Sequence, residues 1–336
     1  MPKKFAPPAA PAAPWRARRA DADYGVTAKP DWREIDWLAH LRQADVGGMK
    51  LNYVDIGPTG VAPDRPEREP VVFVHGLGGQ WQNWLENIPR VALERRVIAP
   101  DLPGFGISEP PPGKMSIPGY GSCVDALCDQ LGLGEVAMVG NSMGGFITAE
   151  VAIQFPARVS RLVLVSAAGI SSAESARAPI LTVGRVAAAL ATYAVARYRS
   201  LASRAMTRQF SLALVARHPA LLRADLTYEG FYKGGGKPGL VDALRANLEY
   251  DFRERLPDVR VPTLIVWGEK DSVIPVRDAQ EYERLIPDSR KLVMRDTGHV
   301  PMAERPTAFN DALMGFLEES GPAEEAEAVE GESAVA

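Results

Sequence analysis

The residue of this 336-residue chain best placed to act as a nucleophile is the serine of Gly140-Asn141-Ser142-Met143-Gly144-Gly145. The apolar run Val136-Ala137-Met138-Val139 predicts a strand before it, and residues 146–155 predict a helix after it. Strand, Gly-x-Ser-x-Gly and helix in that order make a nucleophile elbow, a turn so tight that only small residues fit beside the serine. Its Oγ is thereby pushed out above the sheet edge. A serine hydroxyl is a weak nucleophile near neutral pH, so a base must accept its proton as the new bond forms.

The elements that would position such a base follow the same rhythm. Val71-Val72-Phe73-Val74 reads as a fully buried strand and ends in His75-Gly76-Leu77-Gly78-Gly79, a turn suited to presenting backbone N–H groups. Thr263-Leu264-Ile265-Val266-Trp267 is a second buried strand, followed by Gly268-Glu269-Lys270-Asp271. Lys291-Leu292-Val293-Met294 leads into Asp296-Thr297-Gly298-His299. Each polar candidate follows a strand.

In these motifs the chain resembles the α/β-hydrolase superfamily, from about Leu51 to Leu317. The likeness includes His75-Gly76, the turn Asp101-Leu102-Pro103-Gly104-Phe105-Gly106-Ile107-Ser108, the elbow, Asp271, and Gly298-His299 with the residues to Pro306. The resemblance implies an α/β fold with a mostly parallel central sheet flanked by helices. It also implies a triad in the chain order Ser142, Asp271, His299. His299 would be the general base, and Asp271 would orient its ring and stabilise the imidazolium. Oxyanion donors are implied at the backbone N–H of Leu77 and Met143, and losing one such donor typically costs about 3 kcal/mol. Glu269 competes with Asp271 for the acid role, and the family pattern favours Asp271. At the position of His75 the family carries a structural residue, while His40 and His218 lack partner motifs and read as surface or packing residues.

Length, a hydrophobic fraction of 46% and a net charge of −4 suit a globular enzyme and give no reason to expect nucleic acid. Cys123 and Cys128 match no disulfide framework or metal site, and read as buried thiols in a reducing, cytoplasmic setting. No cofactor or metal is expected. The expected organisation is a Pro/Ala-rich basic arm at 1–30, disordered; core at 31–169; a helical cap at 170–250; core at 251–318; and a disordered acidic tail at 319–336.

The cap reading rests on the break in β/α alternation after the strand that ends near Ser166. An insertion there would cover the carboxyl edge of the sheet, where open α/β sheets bind ligands. The apolar stretch 186–196 is too short for a membrane span and reads as a pocket-lining helix. Arg197, Arg199, Arg204, Arg208, Arg217 and Arg223 make the cap basic, either as a solvated surface or as a face that meets anionic lipid. Residues 233–239, glycine-rich, permit a hinge. Trp81, Trp84, Phe105 and Val300 are candidate pocket walls, with core packing the other reading for the tryptophans.

A serine at the elbow argues against the epoxide and carbon-halogen chemistries of relatives that carry aspartate there. Esters, thioesters, lactones or amides, carbon-carbon bonds of vinylogous diketones, and perhydrolysis remain. The elbow is similar to that of carbon-carbon hydrolases of aromatic ring-cleavage products. Those relatives usually have tryptophan after the histidine and Gly-Pro-Gly in the oxyanion turn, where this chain has Val300 and Leu77-Gly78-Gly79. An esterase or lipase-like activity on a small-molecule or lipid ester therefore leads, and a ligand-binding relative without turnover is the alternative outside enzymes.

Overall fold

The computed structural model describes residues 23–60, 68–171, 203–233 and 239–319. Eight strands form one sheet: β1 (Leu41–Val46), β2 (Met49–Ile56), β3 (Val71–Val74), β4 (Val97–Pro100), β5 (Val136–Asn141), β6 (Val159–Val165), β7 (Thr263–Gly268) and β8 (Ser289–Met294). Their spatial order is β1-β2-β4-β3-β5-β6-β7-β8. β2 runs antiparallel to β1 and β4, and every pairing from β4 to β8 is parallel. This is the α/β architecture expected from the sequence.

The strand sequences explain their places. β3, β4 and β5 are buried at every position, as strands covered on both faces must be. Alternate residues feed opposite cores: Val72, Val74 and Met138 enter one, and Val71, Phe73 and Val139 the other. β8, an edge strand, carries Arg290 and Lys291 and is only half-buried, which discourages pairing with another chain. Helices α1 (Ile88–Val91), α2 (Ile117–Gln130) and α3 (Met143–Gln154) follow β3, β4 and β5; α7 (Arg277–Leu285), α8 (Pro301–Glu304) and α9 (Pro306–Glu318) belong to the second half. In α2 both cysteines are buried, and burial pushes Cys123 up to about 11 and Cys128 to about 12, so neither thiol is reactive at neutral pH.

Between β6 and β7 the chain leaves the sheet. The described part of this insertion holds α4 (Ala205–Ser211), α5 (Ala224–Thr227), a π-helical turn (Tyr228–Tyr232) and α6 (Leu240–Glu249). It lies on the loops that follow β3, β4 and β8: Gln80 Nε2 donates to Glu229 O and Asn83 Nδ2 to Gly230 O, both at 2.7 Å, and His299 N donates to Val215 O at 2.8 Å. The chain returns through Tyr250, stacked on Phe146 at 5.7 Å, and Arg255, which donates to the buried Glu150 at 2.8 Å. The stretch 186–196, Arg197, Arg199 and residues 234–238 lie outside the described residues.

One expectation needs correction and another is narrowed. The arm does not extend to residue 30: Tyr24 is buried and donates to Glu304 at 2.6 Å, and Ala28 N and Trp32 Nε1 donate to buried Glu86 at 2.8 and 3.0 Å. Residues 23–32 are thus a strap fixed by two internal carboxylates. Of the four described arginines read as a basic face, three are matched within the chain, while Arg204 is exposed. Arg208 is buried and donates to the carbonyls of Ser203 and Ala220, Arg217 pairs with Asp296 and Arg223 with Asp225. Among the described residues no helix is long and apolar enough to cross a membrane.

Candidate active site

Chain order and spatial order diverge at one point in this sheet. β3 connects outward to β4, and β5 lies on the other side of β3 and connects toward β6. Loops at the carboxyl ends of β3 and β5 therefore part at a switch point, where α/β sheets leave a crevice. The turn at 75–79 and the elbow at Ser142 occupy those two ends.

Ser142 has φ 56° and ψ −119°, a conformation that side chains other than glycine rarely adopt. Close packing enforces it. A Cβ on Gly140 would lie 2.3 Å from Gly144 O, and one on Gly144 would lie 2.2 Å from Val74 O, so the start of α3 rests directly on the end of β3. Ser142 N donates to Val165 O and Ser142 O accepts from Ala168 N, each at 2.9 Å, which fixes the turn to the end of β6. Met143 opens α3, so its N–H belongs to the first turn, which has no preceding helical carbonyl to accept it.

Asp271 follows β7 and His299 follows β8. His299 Nδ1 lies 2.8 Å from Asp271 Oδ2, and the Asp271 side chain is wholly buried. Asp271 Oδ1 accepts from Val273 N and Ile274 N at 2.8 and 2.9 Å, which holds the carboxylate still. The arrangement assigns the proton to Nδ1 and leaves Nε2 as the basic nitrogen. Asn141, next to Ser142, donates through Nδ2 to Val165 O at 3.1 Å and to His299 O at 3.3 Å. The elbow strand and the histidine loop are joined there. Glu269 is elsewhere: it accepts from Asp296 N at 3.0 Å and pairs with Lys270.

The turn after β3 is secured by side chains that carry no chemistry. Asp101 Oδ1 accepts from Trp81 N at 2.9 Å, while its Oδ2 accepts from Asn52 Nδ2 and Ile107 N. His75 is fully buried; its Nδ1 donates to Gly76 O at 2.8 Å and its Nε2 accepts from Leu102 N at 3.0 Å. Both nitrogens are used by the neutral ring, so His75 is a tie between loops. Burial lowers its pKa to about 4 from 6.5. An unfolded chain takes that proton near pH 6.5 and the folded one only near 4. This contribution to stability is therefore complete above pH 6.5 and is lost as pH falls toward 4, up to about 3 kcal/mol. Urea unfolding of wild type and His75→Gln at pH 7 and pH 4.5 is expected to show the steeper loss in wild type; equal losses would contradict the assignment.

Of the candidate pocket walls, Trp84 packs against Phe73 and Phe309, and Phe105 lies edge-on to His75; both have no exposed surface. Both are core residues, Trp84 in one of the two large cores and Phe105 in the other, which corrects their reading as pocket walls. Trp81 and Val300 are buried as well, at 5% and 3% exposure, Trp81 beside Trp37. Sequence reasoning missed Asn141 and Glu304. Glu304 stands five residues after His299, and only its burial and the donors gathered on it reveal a role.

Residues 69–306 match the family described as alpha/beta hydrolase fold. The chain belongs to that family. This α/β hydrolase is 32% identical over 295 residues to a 2-hydroxy-6-oxo-2,4-heptadienoate hydrolase of Pseudomonas putida, covering 82% of this chain and 95% of that one. It is 31% identical over 283 residues to the dihydrolipoyllysine-residue acetyltransferase component of the acetoin cleaving system of Pseudomonas putida, covering 82% and 69%. Among solved structures it is similar to a membrane phospholipase A, a bacterial virulence factor, with TM-score 0.63, 25% identity and coverage of 84% and 87%.

Proposed function

We propose that this α/β hydrolase cleaves carboxylic esters through an acyl-enzyme formed on Ser142. His299 Nε2 takes the Ser142 proton as Oγ attacks the carbonyl carbon, and Asp271 stabilises the imidazolium. Negative charge on the carbonyl oxygen is received by the N–H groups of Leu77 and Met143. The tetrahedral species collapses as the imidazolium gives its proton to the leaving alcohol. Water then repeats the sequence on the acyl-enzyme and frees the acid. The observation that carries this reading is the 2.8 Å bond from His299 Nδ1 to a buried carboxylate, with Asn141 tying that histidine's backbone to the elbow.

A second reading, carbon-carbon bond cleavage, is favoured by the likeness of the elbow and by the 32% identity to a 2-hydroxy-6-oxo-2,4-heptadienoate hydrolase over nearly its whole length. Val300 and Leu77-Gly78-Gly79 weigh against it. Two assays separate them. Nitrophenyl esters of short and medium acyl chains are expected to release nitrophenol, and a coloured dienone ring-cleavage product is expected not to bleach. Bleaching without ester turnover reverses the assignment.

A further inference from the structure

The Glu304 carboxylate is completely buried at the end of α8, and four donors from three parts of the chain converge on it. Gly298 N reaches Oε1 and Oε2 at 2.9 and 3.0 Å, and Val300 N reaches Oε1 at 3.3 Å. These two amides stand on either side of His299. Arg217 N, from the insertion, donates to Oε2 at 2.8 Å, and the Tyr24 hydroxyl, from the strap, donates to the same oxygen at 2.6 Å.

The three parts are also joined to one another. The Tyr24 hydroxyl accepts from His218 N at 2.8 Å, and Gly25 N donates to Glu304 O at 2.7 Å. Space at the junction is minimal: a Cβ on Gly298 would lie 2.8 Å from Arg217 N. His299 N itself donates to Val215 O. Apart from the ring's bond to Asp271 and the carbonyl's bond to Asn141, what fixes His299 is thus its own N–H bond to Val215 O and the bonds of its two neighbours to one carboxylate. A buried carboxylate keeps such a geometry only while its donors are in place, because each unpaired polar group costs desolvation without return.

We propose that Glu304 is the positioning residue for His299, and that Tyr24 makes the N-terminal strap part of that device. The inference rests on the reading of His299 as general base. Misplacing a catalytic group by about 1 Å can cost on the order of 100-fold in rate. In Glu304→Gln one of the two oxygen positions becomes an NH₂, so either the Arg217 N–H or the Val300 N–H faces a donor and the loop must shift.

The test uses the full chain and a nitrophenyl ester. Glu304→Gln is expected to lower kcat roughly 10- to 100-fold with KM within about twofold, and to displace the acid limb of the pH profile of kcat/KM. Folding is checked at the assay temperature by near-UV circular dichroism. Unchanged kcat and pH profile in folded Glu304→Gln would overturn the proposal, as would losses that track the folded fraction alone. If that variant does not fold, Tyr24→Phe decides: it removes one hydroxyl, a kcat loss of about 3- to 10-fold is expected, and wild-type kcat sinks the idea. Ser142→Ala, run alongside, keeps the failures apart. Full activity there defeats the nucleophile reading, whereas an inactive Ser142→Ala beside an unaffected Glu304→Gln defeats only the positioning role.

Discussion

Ser142→Ala is expected to lower kcat for nitrophenyl ester hydrolysis by about 10⁶-fold, the scale seen when a triad serine is removed. The substitution takes away Oγ alone. The backbone bonds of residue 142 to Val165 and Ala168 remain, and alanine meets the same restriction at φ 56° that serine does. Stability should therefore stay within about 1 kcal/mol of wild type, and a rate loss cannot be laid to unfolding. Labelling by a fluorophosphonate should disappear in the same variant. Equal hydrolysis by both proteins would end the serine mechanism outright.

The second large effect concerns the acid. Asp271→Asn is expected to reduce kcat by about 10⁴-fold, for a reason visible in the hydrogen bonds. Asp271 Oδ1 accepts from Val273 N and Ile274 N, so an asparagine will keep its carbonyl oxygen there and turn its NH₂ toward His299. Nδ1 must then accept, and the ring's proton moves to Nε2. A ring protonated at Nε2 cannot take the serine proton. Glu269→Gln serves as the control, because Glu269 bonds to Asp296 N and Lys270, and should leave kcat within about twofold. A loss of under 10-fold in Asp271→Asn, or parallel losses in both variants, would remove Asp271 from the acid position.

Much of the sheet is legible in the sequence. Strands buried on both faces must be apolar at every position, and Val71-Val72-Phe73-Val74 and Val136-Ala137-Met138-Val139 declare this without help from neighbours. The elbow was readable because its glycines answer a local demand, the approach of α3 to the end of β3. The strap was not. Tyr24 lies beside charged residues in a proline-rich neighbourhood, and its partner Glu304 is 280 positions away, so no local pattern could signal the contact. The same holds for Trp84: an aromatic after a loop has no periodicity to say whether it faces a crevice or the core. Glu304 lies in the stretch from Gly298 to Pro306, yet its partners at residues 24 and 217 are ones that only the fold assembles.

The place of Val215 and Arg217 bears on redesign. Exchanging the segment between β6 and β7 for that of a relative is an obvious way to alter substrate range, since its described helices lie over the ends of the strands. Yet its own backbone supplies the acceptor for His299 N and a donor to Glu304. A chimera that swaps the whole segment would discard those two bonds. Grafts confined to either side of residues 215–218 would change the rest of the segment while sparing the bonds to His299 and Glu304.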